Sequence, residues 1–109
     1  MPRLAFAIAG LVTLTLTSPA HADGDFTLTI KDHKYDPEDL AIPANTKVKL
    51  IVKNADTTPE EFESFDLNRE KVVAAGSQIE VYVGPLDPGK YEFFGDFHQD
   101  TARGHLIVK

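Results

Sequence analysis

Two stretches of the chain concentrate groups able to do chemistry. The first is Glu60-Glu61-Phe62-Glu63-Ser64-Phe65-Asp66-Leu67. Side chains alternate along a strand, so residues 61, 63, 65 and 67 would share one face. Phe65 and Leu67 make that the expected core face, which brings Glu61 and Glu63 to the edge of an apolar interior. Two carboxylates there are costly unless a cation or hydrogen bonds compensate. They would also raise at least one pKa unless a metal sits between them. The other reading starts the strand later and leaves both glutamates solvated.

The second stretch is Gly95-Asp96-Phe97-His98-Gln99-Asp100-Thr101-Ala102-Arg103-Gly104-His105. It joins two strand-like runs, and such a loop is a natural platform for a ligand. Asp96 and His98 are both metal-capable, although an ordinary polar loop would read the same way. His105 opens a run whose core positions are Leu106 and Val108, so it is expected to face outward. His33 lies in the polar turn Asp32-His33-Lys34-Tyr35-Asp36-Pro37 and is expected at the surface.

The elements that position these groups read as short strands. Phe26, Leu28 and Ile30 alternate with polar residues, as do Val48, Leu50 and Val52, and then Ile79, Val81 and Val83. Tyr91, Phe93 and Phe94 follow, and Leu106-Ile107-Val108 continues the pattern. Period-2 alternation with β-branched and aromatic residues is the strand signature. Pro, Gly and Asn-Asp clusters separate the runs. No long window carries a helical stripe, and Leu67–Ala75 is expected to hold a turn of helix at most. The expected fold class is all-β, a Greek-key β-sandwich or barrel.

Composition narrows the chemistry. The 109 residues carry 11 Lys+Arg against 17 Asp+Glu, a formal net charge of -6. That leaves no basic surplus for a nucleic-acid partner. There is no Cys, which excludes disulfides, thiolate nucleophiles and any Cys-ligated metal. G-x-S-x-G and phosphate-cradling Gly-rich patterns are absent. At the start, Met1-Pro2-Arg3 precedes the uncharged run 4–17 and the small-residue pattern Ala20-His21-Ala22. This is the grammar of an export signal, with cleavage expected after Ala22. The run falls short of the about 20 apolar residues that span a bilayer. The expected organisation is therefore a signal peptide at 1–22 and one exported domain at 23–109, with no transmembrane segment after processing.

The segment Tyr91-Glu92-Phe93-Phe94-Gly95-Asp96-Phe97-His98 resembles the Y-x-F-x-C-x-x-H stretch of small blue copper proteins. Pro85–Tyr91 is similar to the turn before that strand, and Lys53-Asn54-Ala55-Asp56 to the turn leading into the first copper ligand. The chain thus resembles the cupredoxins, and the departures matter. Gly95 stands where the family carries its ligand Cys, Glu61 falls at the first ligand His, and Thr101–Arg103 replace the axial Met. Of the family's ligands only His98 is matched. A blue site needs a thiolate, so blue copper electron transfer is not expected.

Glu61-Phe62-Glu63 with Asn68-Arg69-Glu70-Lys71 is similar to the cupredoxin-like proteins of bacterial iron uptake. These are the EfeO-type domain and the cupredoxin component of the FtrABCD ferrous-iron system. That resemblance implies a periplasmic protein working with a membrane iron permease complex or another periplasmic iron protein. It also implies a mononuclear, non-blue copper or iron ion and a ferroxidase-like role before transport. Glu61, Glu63, Asp96 and His98 are the expected metal ligands, with Glu70, His33 and His105 as further candidates. Three carboxylates and an imidazole suit Fe, Mn(II), Zn(II) or Cu(II) and disfavour Cu(I). A Cu(II) carrier and a metal-free interaction module are the alternative functions.

Overall fold

The computed structural model describes residues 26–109; the expected signal segment, 1–22, lies outside them. Among the described residues nine strands follow in order: β1 (Thr27–Lys31), β2 (Lys34–Asp36), β3 (Asp39–Ile42), β4 (Val48–Asn54) and β5 (Glu60–Ser64). The others are β6 (Arg69–Val73), β7 (Gln78–Val83), β8 (Gly89–Phe94) and β9 (Arg103–Val108). They form two sheets, β2-β1-β4-β7 and β3-β9-β8-β5-β6. The one helical element among the described residues is a 3-10 turn at Asp96–His98. None of their helices is long and apolar enough to cross a membrane.

The runs marked by alternation all form strands, and their apolar positions make the core. Leu28 and Ile30 of β1, Leu50 and Val52 of β4, and Val81 and Val83 of β7 face Phe62, Phe93, Leu106 and Val108 of the other sheet. Tyr35, Phe62 and Phe93 form an aromatic centre, with Tyr35 edge-on to Phe93 at 4.8 Å between ring centroids and Phe93 against Phe62 at 5.5 Å. Edge-to-face and tilted arrangements of this kind suit the ring quadrupoles.

Three strands go beyond the sequence expectation. β2 and β3 are short edge pieces that carry too few residues to display a period. β6 occupies the stretch expected to hold at most a turn of helix. Its cause is the turn after β5, where Asn68 adopts a left-handed φ of 57° and sends the chain back antiparallel along β5. Asn tolerates that conformation better than most residues.

The parity of the acidic stretch is also corrected. β5 opens at Glu60 and ends at Ser64, so Glu60, Phe62 and Ser64 share the inward face. Phe62 is fully buried, whereas Phe65, expected in the core, is 79% exposed. Phe65 lies beyond the strand, in the turn. Leu67 does reach the core, from that turn rather than from a strand position.

Candidate metal centre

A buried asparagine organises one end of the sandwich. Asn54 closes β4, and its Oδ1 accepts from the Asp56 N–H at 2.8 Å. Its Nδ2 donates to the carbonyls of Thr58 and Val73, each at 2.9 Å. These bonds shape the connection from β4 to β5 and fix where Glu60 begins the strand. Asp56 in turn holds the hairpin between β1 and β2, its oxygens accepting from the N–H groups of Asp32 at 2.6 Å and His33 at 3.0 Å. Asp32 and His33 have φ of 53° and 60°, a pair of positive values that the tightest hairpins require. The sequence places His33 in a turn, and the turn folds over the end of β5.

Glu60 is fully buried. Its Oε2 lies 2.7 Å from His33 Nδ1, and its Oε1 lies 3.1 Å from His98 Nδ1. The two imidazoles stack with centroids 3.6 Å apart and an interplanar angle of 17°. Both rings therefore aim the same nitrogen at one carboxylate. The hydrogen bond to Glu60 raises the His33 pKa; partial desolvation opposes it, and the charges of Glu60, Asp56 and Asp32 add to the rise. Burial alone would raise Asp56, but hydrogen bonds involving Glu60 and the His33 and Asp32 N–H groups outweigh it, and its carboxyl sits below the usual range.

His98 comes from the 3-10 turn after β8. Its N–H donates to the Gly95 carbonyl at 3.1 Å, and its carbonyl accepts from Ala102 at 2.8 Å. The expected bend after Gly95 is there, but glycine is required for space rather than for φ, which is -115°. A Cβ on Gly95 would lie 2.9 Å from the Glu61 carbonyl and 3.2 Å from the Ala102 Cβ. At the position where the blue copper family carries its thiolate, the backbone of β5 and the 95–102 loop close on each other. Tyr35 seals them from below, its hydroxyl donating to the Glu61 carbonyl at 2.6 Å. Burial, with the charges of Glu61 and Glu60, raises its pKa and keeps it protonated.

The four ligands expected from sequence are divided. His98 joins Glu60 and His33, with one ligand atom from each within 4.8 Å of the others. Glu61 and Glu63 point to the other face of β5 and join Glu70 in a second group of the same compactness. Asp96 stands in neither: its carboxylate accepts from Gln99 Nε2, and its N–H donates to Glu61 Oε1 at 2.7 Å. His105 faces outward as parity predicts and lies 3.4 Å from Asp39. The sequence expectation omits Glu60 because it phases the strand on Phe65. The available signal was Phe62, the one large apolar residue between positions 60 and 64.

The donor set of the first group fits a metal. Two imidazole nitrogens and one carboxylate suit Cu(II), Zn(II) or Fe(II). They cannot form a blue copper centre, for which the sulfur is absent. The second group offers carboxylates alone. Burial pushes the Glu61 carboxyl up to about 7; the Asp96 N–H opposes this, while Glu63 and Glu70 reinforce it.

Glu61 therefore holds its proton more tightly in the folded chain than at its ordinary 4.5. A carboxyl of this kind favours folding while protonated. Its contribution is lost as pH rises from about 4.5 through about 7. Glu61→Gln keeps an acceptor for the Asp96 N–H and removes the repulsion. In metal-free protein it is expected to raise stability at pH 8 by on the order of 1 kcal/mol, discounted for solvent around Glu63 and Glu70, and to leave it unchanged at pH 4. Urea denaturation at both pH values checks this; equal effects at both would refute it.

Comparison with known proteins agrees with this architecture. A family model described as a cupredoxin-like domain matches residues 4–108. A protein of Rickettsia prowazekii (strain Madrid E), "Uncharacterized protein RP394", is 58% identical over 81 residues. That match takes in 74% of this chain and 65% of the Rickettsia protein, so the chain spans just under two thirds of that relative's length. Amicyanin from Paracoccus versutus superimposes with a TM-score of 0.61 at 18% identity, over 84% of this chain and 85% of amicyanin. Auracyanin A, a "blue" copper protein of Chloroflexus aurantiacus, gives 0.66 at 12% identity, over 77% of this chain and 97% of its own. At these identities the structural likeness is one of fold.

Proposed function

Since this chain belongs to the family of cupredoxin-like domains, we propose that it is an exported metal-binding protein holding one Cu(II) or iron ion through His33, Glu60 and His98. The observation that carries this reading is Glu60: a fully buried carboxylate with an imidazole Nδ1 at each oxygen. A buried carboxylate needs compensating partners, and two rings aimed at it from different parts of the chain make a preformed donor set. An ion there would supply positive charge and, if copper or iron, a one-electron couple. The chain's own residues supply its fixed position: Asp56 orients the His33 turn, and the hydrogen-bonded 95–102 loop orients His98.

The wider role we propose is in bacterial iron uptake, in the periplasm, beside a membrane iron permease or a second iron protein, with Fe(II) oxidation before transport as the step it assists. The export-signal pattern expected over residues 1–22 and the Glu61-Phe62-Glu63 pattern support this reading. Carboxylate and imidazole donors also stabilise the higher charge of Fe(III) or Cu(II). The test is calorimetric titration of the domain 23–109 with Cu(II) and with anaerobic Fe(II). One ion per chain is expected, lost in His33→Ala and in His98→Ala and retained in Glu61→Gln. Fe(II) loss in air, accelerated by the native protein and not by His98→Ala, would support the oxidation step. Cu(II) binding without that acceleration makes the protein a Cu(II) carrier. Absence of binding leaves an interaction module.

A further inference from the structure

The outer face of the five-stranded sheet carries features that ion binding at His33, Glu60 and His98 does not use. Phe65 is 79% exposed and Val72 57% exposed. The Phe65 ring leans on Phe94 with centroids 5.2 Å apart, so it is held in place although water covers most of it. Cross-strand register puts Glu63 between Glu70 and Phe94, and Glu61 opposite Val72. Adjacent residues in register project to the same side of a sheet. Apolar and acidic side chains are thus interleaved on one surface.

That surface is dented. A depression of about 320 Å³ is lined by Glu63, Ser64, Phe65, Asn68, Arg69 and Glu70. The Arg69 in its wall keeps its charge but is turned to backbone carbonyls and pairs with neither glutamate. Its Nε donates to the Tyr82 carbonyl at 3.0 Å, and one terminal nitrogen donates to the carbonyls of Leu67 and Asn68 at 3.2 and 3.0 Å. Among the described residues neither Glu63 nor Glu70 is in an ion pair closer than 4.0 Å. The depression therefore presents two carboxylates that no cation pairs, with the Glu61 carboxyl close beside them, and an aromatic ring. The same face already seats one guanidinium over a ring, that of Arg103 5.5 Å from the Phe94 centroid.

We infer that this face docks a partner protein through a lysine or arginine side chain entering between Glu63, Glu70 and Phe65, with apolar partner residues on Phe65 and Val72. The charge of the face selects a cationic partner surface, and the net -6 of the chain extends that preference beyond the contact. A cation between a ring and two carboxylates gains both contacts at once. An exposed, preorganised aromatic is the kind of residue that anchors an interface. The docking site is independent of the ion, because Glu60 and Glu63 project to opposite faces of β5.

The test uses isotope-labelled, metal-free protein with EDTA present and a blocked Lys-Leu-Leu-Lys peptide as probe, with a blocked Glu-Leu-Leu-Glu peptide as control. Amide shifts on adding the lysine peptide are expected to cluster at Glu63–Glu70 and Val72. The dissociation constant should rise roughly tenfold in the Glu63→Gln, Glu70→Gln double variant and severalfold in Phe65→Ala, and be unchanged in His98→Ala. These positions are exposed or half-buried, so the variants are expected to fold. Shifts scattered over the acidic surface, equal affinity in the variants, or no binding at millimolar peptide would overturn the inference. So would Mn(II) broadening centred on Glu63 and Glu70 at stoichiometric metal in EDTA-free protein, which would make the depression an ion site.

Discussion

Replacing Glu60 by glutamine is expected to weaken Cu(II) binding by about 100-fold or more while leaving the fold in place. The amide has nearly the shape of the carboxylate and can still accept from one imidazole. It cannot supply the anionic donor, and its NH2 meets the second ring where an acceptor stood. Loss of outer-shell partners alone costs about 10–100-fold in metal affinity, and a ligand is worth at least that. A second signature is independent of metal. The hydrogen bond to Glu60 is the largest influence raising the His33 pKa, so an NMR titration of the variant should find His33 titrating lower than in the native protein. Calorimetry and the titration together check the assignment. Native-like affinity with an unmoved His33 would place the centre elsewhere.

The second large effect lies in packing. Gly104 of β9 runs against the Phe93 ring: a Cβ there would come within 2.6 Å of Phe93 and collide with the Glu38 carbonyl. Phe93 is fully buried in the aromatic centre, and the Glu38 carbonyl also accepts the His105 N–H at 2.7 Å. Neither neighbour can yield without disturbing a sheet connection. Gly104→Ala is expected to cost about 3 kcal/mol, the upper end for overpacking. For a domain of this size that lowers Tm by roughly 15 °C. Differential scanning calorimetry of the metal-free protein reads this directly, and a drop of less than about 3 °C would show that β9 and Phe93 adjust more freely than close packing allows.

The sequence disclosed the sandwich through residues that alternate on both sides of a buried layer, such as Leu28 and Ile30 or Val81 and Val83. It disclosed His98 through its spacing after Gly95. It concealed Glu60, because strand phase depends on which aromatic enters the core, and Phe62 and Phe65 compete for that role. Only the turn at Asn68, which ends β5 at Ser64, decides between them. His33 was hidden differently. Its turn is as polar as any surface turn, and its place in the centre comes from Asp56, more than 20 residues away. Such long-range bonds leave no local period to read. Tyr35 shows the same limit: it lies in a three-residue edge strand yet closes the core beneath the centre.

His33 and Glu60 are 27 residues apart, and Glu60 and His98 are 38 apart. The strands that bring them together pair over similar or longer distances, with β3 lying parallel to β9. Pairings so remote in sequence form slowly and late. Before those pairings form, nothing holds the three donors together. An ion held by all three would act as a clasp fastened after the garment is on. It would lengthen the lifetime of the native state by slowing unfolding and leave the speed of folding to the strands themselves.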